Sequence, residues 1–236
     1  MASESGQSSK KRRFVPSGPV LPLPVLMLVT DRHLAGGEER LVETVAEAVQ
    51  AGVNVVQLRE KDLGAERLLP LARRLREVTS GRAMLLVNGA LDVAKEVGAD
   101  GLHLPEDADP PDPPWTFIWG RSTHSAQGAM HAMGGAARYV ILGPIFETRS
   151  HPDAEPLRLD VIEEVCGWAL VPIIGIGGIG PENATEVMRA GASGVAVISA
   201  ILGERSPSGA ARMLREALDV AYQKTNGSGS VWSPSP

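Results

Sequence analysis

The chain has 236 residues, a formal net charge of −5 and a single cysteine, Cys166. That length suits one (β/α)₈ barrel or two small domains, and the acidic balance argues against general nucleic-acid binding, which needs a basic footprint to displace counterions. A lone cysteine excludes an intrachain disulfide and fits a reducing cytoplasm, and no apolar run approaches the ~20 residues of a membrane span. Near the start, Lys10-Lys-Arg-Arg13 precedes the apolar run Val20 to Val29, which imitates a signal peptide. Pro19, Pro22 and Pro24 break that run, and no small-residue cleavage site follows before Asp31-Arg32. Residues 1–24 therefore read as a disordered polar tail.

Strand and helix signals then alternate. Val25 to Thr30 is an apolar run of strand length; Glu38 to Ala51 carries Leu41, Val42, Val45, Ala48 and Val49 as a helical stripe, ended by Gly52. Val53 to Leu58 reads as strand and Ala65 to Thr79 as helix, with Pro70 weakening its first turns. Ala83 to Val87, Asp100 to Leu104, Thr116 to Gly120 and Arg138 to Leu142 are the next strands, with helices at Ala90 to Val97, Ala126 to Met133 and Leu157 to Trp168. Pro172 to Ile176 and Gly194 to Ile198 are the last strands, followed by helices Glu182 to Ala190 and Ala210 to Tyr222. Between the fourth and fifth strands lies Pro105 to Pro114, whose Pro110-Pro111 and Pro113-Pro114 pairs preclude a full helix.

Strict alternation implies a parallel sheet with right-handed crossovers. Eight such units without a cut point favour a closed (β/α)₈ barrel over an open sheet, as a single domain over 25–223 with the fourth helix replaced by the proline-rich segment. The low-complexity end, 224–236, reads as a second disordered tail.

Strand parity predicts which side chains reach the barrel mouth. With Val56 and Leu58 facing the helices, Gln57, Arg59 and (just beyond) Lys61 face the axis. The same parity turns Leu86 and Asn88 inward on strand three and His103 inward on strand four, and it puts Ser122 and His124 on or just past the C-terminal end of strand five. Asn88 before Gly89 also fits a plain turn, and His103 between two leucines also fits a hydrogen-bonded core histidine. Ser125 is an N-cap candidate for the following helix, a setting that favours the neutral imidazole of His124, which can accept a proton. The last two strands each run into small residues before a helix, Gly175-Ile-Gly-Gly178 and Val197-Ile-Ser-Ala200. In a (β/α)₈ barrel those loops commonly offer backbone N–H groups to a phosphate. The histidines show no metal-ligand spacing, and the glycines do not match a dinucleotide fingerprint.

Gln57-Leu-Arg-Glu-Lys61, Val87-Asn88, Gly101-Leu-His-Leu-Pro105, Gly120-Arg-Ser-Thr-His-Ser125, Gly143-Pro-Ile-Phe-Glu-Thr148, Gly175-Ile-Gly-Gly-Ile179 and Val197-Ile-Ser-Ala-Ile201, in this order, resemble the thiamine phosphate synthase/TenI superfamily. The resemblance spans Val25 to Tyr222. It implies a (β/α)₈ barrel, a place in thiamine (vitamin B1) biosynthesis and binding of a phosphorylated thiazole, and related barrels often form homodimers.

The superfamily has two main branches. Thiamine phosphate synthases join hydroxymethylpyrimidine diphosphate to thiazole phosphate with Mg²⁺. Their usual Asn-Asp on the third strand reads Asn88-Gly89 here; their Gly-Gln-Glu-Asp after the fourth-strand histidine reads Leu104-Pro105-Glu106-Asp107; and a lysine on the loop after strand six corresponds to His151. These departures, with Arg121-Ser-Thr-His-Ser125 and Phe146-Glu-Thr148, bring the chain closer to the TenI-like thiazole tautomerases, which aromatise a carboxythiazole phosphate without a metal or other cofactor. By this resemblance His124 moves the proton, and Arg59 or Lys61 holds the carboxylate. The backbone at Gly177-Gly178 and Ile198-Ser199 holds the phosphate, while Asn88, His103, Ser122 and Thr148 complete the substrate site. The expectation is a cytoplasmic tautomerase. A synthase, with Mg²⁺ held by Glu106-Asp107, is the alternative. A non-catalytic regulatory or phosphate-binding barrel is a third reading, although no helix-turn-helix stands outside the barrel to read DNA.

Overall fold

A computed structural model describes residues 20–111, 118–148 and 154–226. Thr116, Pro113-Pro114, His151 and most of both expected tails lie outside the described residues. Eight parallel strands close in sequence order into a barrel: β1 (Val25–Val29), β2 (Val55–Leu58), β3 (Met84–Asn88), β4 (Gly101–Leu104), β5 (Ile118–Thr123), β6 (Val140–Leu142), β7 (Ile173–Ile176) and β8 (Gly194–Val197), with β8 returning to pair with β1. The major crossover helices fall close to the expected segments: α2 (Glu38–Gln50), α3 (Ala65–Thr79), α4 (Leu91–Glu96), α5 (Ala126–Gly134), α6 (Arg158–Trp168), α7 (Ala184–Arg189) and α9 (Pro207–Asn226). No helix occurs between β4 and β5 among the described residues, in keeping with the prolines there.

Two short helices were not anticipated from the pattern: α1 (Arg32–Ala35) and α8 (Ser199–Leu202). Each is four residues long, too brief to show a periodic stripe. Strand β5 runs beyond the expected end at Gly120 because Ser122 and Thr123 find partners in Ile141 and Leu142 of β6. Helix α3 passes through Pro70, which is exposed and whose ring forfeits one hydrogen bond near the start of the helix.

Strand parity divides the apolar residues into two cores. Leu26, Leu28, Val56, Leu58, Val87, Leu102, Leu104 and Val195 face the helices. Val25, Met27, Val29, Val55, Leu86, Ile118, Tyr139, Ile141, Ile174 and Ala196 fill the barrel. The domain begins earlier than residue 25. Leu21 joins the interior core, and the carbonyls of Pro22 and Pro24 accept from Asn54 Nδ2 at 3.2 and 3.0 Å. Pro24 O also accepts from Arg215 on α9 at 2.9 Å, so residues 21–24 close the N-terminal end of the barrel rather than trailing from it. Helix α9 likewise continues past 223 to Asn226.

The interior sets a steric condition on β5. A Cβ at Gly120 would lie 2.3 Å from the buried ring of Tyr139. Gly120→Ala is therefore expected to destabilise the fold by about 1–3 kcal/mol through overpacking. A urea titration followed by circular dichroism should show the midpoint falling with an unchanged slope.

Candidate active site

The C-terminal ends of β1 and β2 are built as a pair. Thr30 Oγ1 accepts from the backbone N–H of Arg59 at 2.9 Å, which fixes the chain as it leaves β2. From there the residues Arg59-Glu-Lys-Asp62 alternate in charge. Glu60 is buried and accepts from the Arg32 backbone N–H at 3.2 Å and from Arg32 Nη1 at 3.0 Å. Asp62 receives both arms of the same guanidinium, Nη1 at 2.6 Å and Nη2 on its other oxygen. The two cations are left free of these carboxylates. Burial lowers the pKa of half-buried Arg59, opposed by the charges of Asp31 and Glu60, and the neighbouring Arg59 charge, followed by burial, lowers that of Lys61. Lys61 borders a cavity of about 430 Å³ together with Glu60, Leu63, Leu68, Asn88 and Gly89. Asn88 ends β3, and Gly89 follows in a left-handed turn (φ 72°) whose N–H donates to His103 O at 2.9 Å.

His103 points inward as parity requires, but it lies beneath the mouth. It is 1% exposed, with Nε2 2.8 Å from Ser122 Oγ and Nδ1 3.0 Å from the hydroxyl of Tyr139. Burial, with the Arg59 and Arg121 charges nearby, pushes its pKa down to about 3, so the ring is neutral at physiological pH. It bridges Tyr139 below and Ser122 above, holding the latter near the end of β5.

His124 stands on the rim with its side chain 63% exposed. Its Nδ1 lies 2.6 Å from Gly143 O at the end of β6. A carbonyl only accepts, so this bond places the proton on Nδ1 and leaves the lone pair of the neutral ring on Nε2. Nε2 is 4.0 Å from Glu106, on the loop after β4. Ser125 caps α5, its Oγ accepting from Gly128 N at 3.0 Å.

Across the mouth lie the loops after β7 and β8. Gly177 and Gly178 take φ of 98° and 64°. A Cβ on the first would meet Pro144 at 2.6 Å and one on the second Glu147 O at 2.3 Å, so only glycine fits this close passage. Asn183 pins the loop, with Nδ2 donating to Gly178 O and Oδ1 accepting from Gly180 N, both at 2.9 Å. Ile198 is the N-cap of α8, and exposed Ser199 opens that helix. The N–H groups of Gly177, Gly178, Ser199 and Ala200 meet no backbone acceptor among the described residues, as an anion site requires. Thr148 is partly buried on the loop after β6 and is the last residue described there.

The predicted residues thus gather at the C-terminal end of one barrel, with His103 a layer below the others. Sequence reasoning missed Arg32, Asn183 and the α8 turn. Only the alternating signs at 59–62 hint at the first, and Asn183 two residues beyond Pro181 at the second.

Comparison with known proteins fits this geometry. A family model described as thiamine monophosphate synthase matches residues 26–201. The chain belongs to the thiamine monophosphate synthase/TenI family. Among its relatives, the thiamine-phosphate synthase of Roseiflexus sp. is 37% identical over 221 residues, covering 89% of this chain and 93% of that protein. The thiamine-phosphate synthase of Moorella thermoacetica is 40% identical over 207 residues, covering 84% and 98% respectively. The solved thiamine phosphate pyrophosphorylase of Pyrococcus furiosus superposes with a TM-score of 0.74 at 31% identity, over 84% of this chain and 96% of that one. A 3-hexulose-6-phosphate synthase at 18% identity and TM-score 0.63 shares the fold alone. Membership makes the chain an enzyme of thiamine biosynthesis. No helix among the described residues is long and apolar enough to cross a membrane.

The burial of His103 has a consequence for stability. Between its ordinary value of 6.5 and about 3, the unfolded chain takes up a proton that the folded family member does not. This contribution is fully present above pH 6.5 and is lost as pH falls toward 3. His103→Gln should therefore flatten the pH dependence of unfolding free energy across that window, measured by denaturant titration at a series of pH values against the wild-type protein.

Proposed function

We propose that this family member is a cytoplasmic thiamine-phosphate synthase, joining hydroxymethylpyrimidine diphosphate to a thiazole phosphate. The observation that carries the reading is that one barrel mouth brings together backbone amides without backbone acceptors after β7 and β8 and the Arg59–Lys61 pair of cations, two groups suited to anions. Arg59 and Lys61 are close enough for one cation to depress the pKa of the other, a repulsion that a multiply charged diphosphate relieves better than a single carboxylate does. The names and full-length coverage of the relatives support the same choice over the tautomerase expected from the motifs.

In the transfer, the bond between the pyrimidine methylene and the diphosphate oxygen breaks, and the thiazole nitrogen forms the new carbon–nitrogen bond. The amides at Gly177, Gly178 and Ser199 hold the thiazole phosphate. Arg59 and Lys61 take up charge that develops on the departing diphosphate, the kind of preorganised stabilisation that dominates such reactions. Synthases of the superfamily use Mg²⁺. Asn88 and the Glu106-Asp107 pair offer hard oxygen donors beyond adjacent strands, joined by the pairing of Asn88 with His103. They fit an ion that asks for one or two carboxylates and completes its shell with water and substrate phosphate. No cluster of three acidic, histidine or cysteine ligands is assembled among the described residues, so substrate oxygens would supply the rest. When bound, the ion would neutralise diphosphate charge.

Purified protein given both substrates and Mg²⁺ should form thiamine phosphate. Lys61→Gln should lower kcat/KM by about a hundredfold, equivalent to about 2.7 kcal/mol of transition-state stabilisation. Asp107→Asn should raise the Mg²⁺ concentration needed for half-maximal rate by about tenfold.

The geometry of His124 and the absence of a side chain at Gly89 favour one second reading, a thiazole tautomerase. With its tautomer set by Gly143, His124 presents Nε2 as a base that can take a proton from one ring position and return it to another. Absence of thiamine phosphate, with isomerisation of the carboxythiazole phosphate present in the wild type and lost in His124→Asn, would select this reading over the first.

A further inference from the structure

We infer that Arg32 is a positioning residue for the anion-binding pair, acting as a clasp that holds Glu60 and Asp62 and thereby fixes the loop after β2 that carries Arg59 and Lys61. The inference rests on Arg59 and Lys61 being the anion site proposed above, and it holds for either reaction.

Strand β2 ends at Leu58, and the N–H of Leu63 donates to Glu60 O at 3.1 Å, closing a turn over Lys61-Asp62. No strand ladder fixes the side chains of this turn. Side-chain bonding does. The Arg32 guanidinium spans both carboxylates, Nη1 reaching Glu60 at 3.0 Å and Asp62 at 2.6 Å while Nη2 takes the second oxygen of Asp62. The Arg32 backbone N–H adds bonds to both Glu60 oxygens at 3.2 Å, and His33 Nε2 lies 3.3 Å from Asp62. Arg32 and Glu60 are both buried, so the pair is held in low dielectric where its geometry is strongly preferred. The base of the clasp is set as well. Asp31 caps α1 through the N–H groups of His33 and Leu34, both at 3.0 Å, and Thr30 secures the Arg59 backbone. Thr30 and Arg32 thus hold the β1 loop to the β2 loop, with Asp31 between them capping α1.

The clasp and plain electrostatics predict opposite signs. Neutralising a carboxylate beside a cationic site raises the local potential and should tighten anion binding. If the carboxylates position the cations, neutralising them loosens the loop and weakens binding. The test is calorimetric titration of the full chain with inorganic pyrophosphate at fixed pH and ionic strength, with thermal unfolding recorded for each variant. Asp62→Asn and Glu60→Gln should each weaken pyrophosphate binding by about three- to tenfold. Asp62 is more than half exposed, so its variant keeps the fold and carries the test even where loss of the buried Glu60 charge does not. Unchanged or tighter binding in folded Asp62→Asn overturns the clasp. Arg59→Gln serves as the control. If it leaves pyrophosphate binding intact, the anion-site reading itself fails; if it weakens binding while Asp62→Asn does not, only the clasp does.

Discussion

In a closed barrel of parallel strands, the parity of a residue decides whether its side chain meets the helices or the axis, and almost every feature of this protein follows from that division. Leu102 and Leu104 pack outward while His103 between them turns in; Val56 and Leu58 pack outward while Gln57 turns in. Apolar residues of both parities fill the two cores. Toward the C-terminal ends, where the inner core runs out, the same inward parity delivers polar side chains to one mouth. The fold therefore needs no separate device to assemble its site beyond strand register, and register is secured on all sides because β8 pairs back onto β1.

The mouth has two different chemistries on its two sides. After β7 and β8 the groups on offer are backbone amides held by glycine geometry and by Asn183. They carry no net charge, and in the proposed reaction they suit the phosphate that stays with the substrate throughout. After β2 the groups are cationic side chains on a loop held by Arg32, which in the proposed reaction suit the charge that appears on the leaving group. Between them, His103 and Tyr139 form a buried polar layer under Ser122. A neutral histidine there completes hydrogen bonds without placing another positive charge under a site that already holds Arg59.

His124 shows how a rim residue can be defined without being buried. One short bond to a carbonyl of the next strand orients the ring and chooses its tautomer, while the other nitrogen stays open to solvent and to Glu106. The departure at Gly89 matters for the same reason. It removes a side chain at the one strand end where a carboxylate would stand closest to Asn88, leaving acidic groups to the loop after β4.

The strands and the longer helices, the closed barrel, the inward parity of Asn88, His103 and Ser122, and the glycine geometry after β7 were legible in the amino-acid order, because each depends on local periodicity or on residue-specific backbone freedom. Tertiary structure decided what local pattern does not encode. It placed His103 below the mouth, since parity gives direction but not depth. It drew residues 21–24 into the barrel floor through Asn54 and Arg215, contacts between segments far apart in the chain. It paired Arg32 with Glu60 and Asp62 and set His124 against Gly143, because a hydrogen bond between neighbouring strand ends exists only once the barrel has brought those ends together.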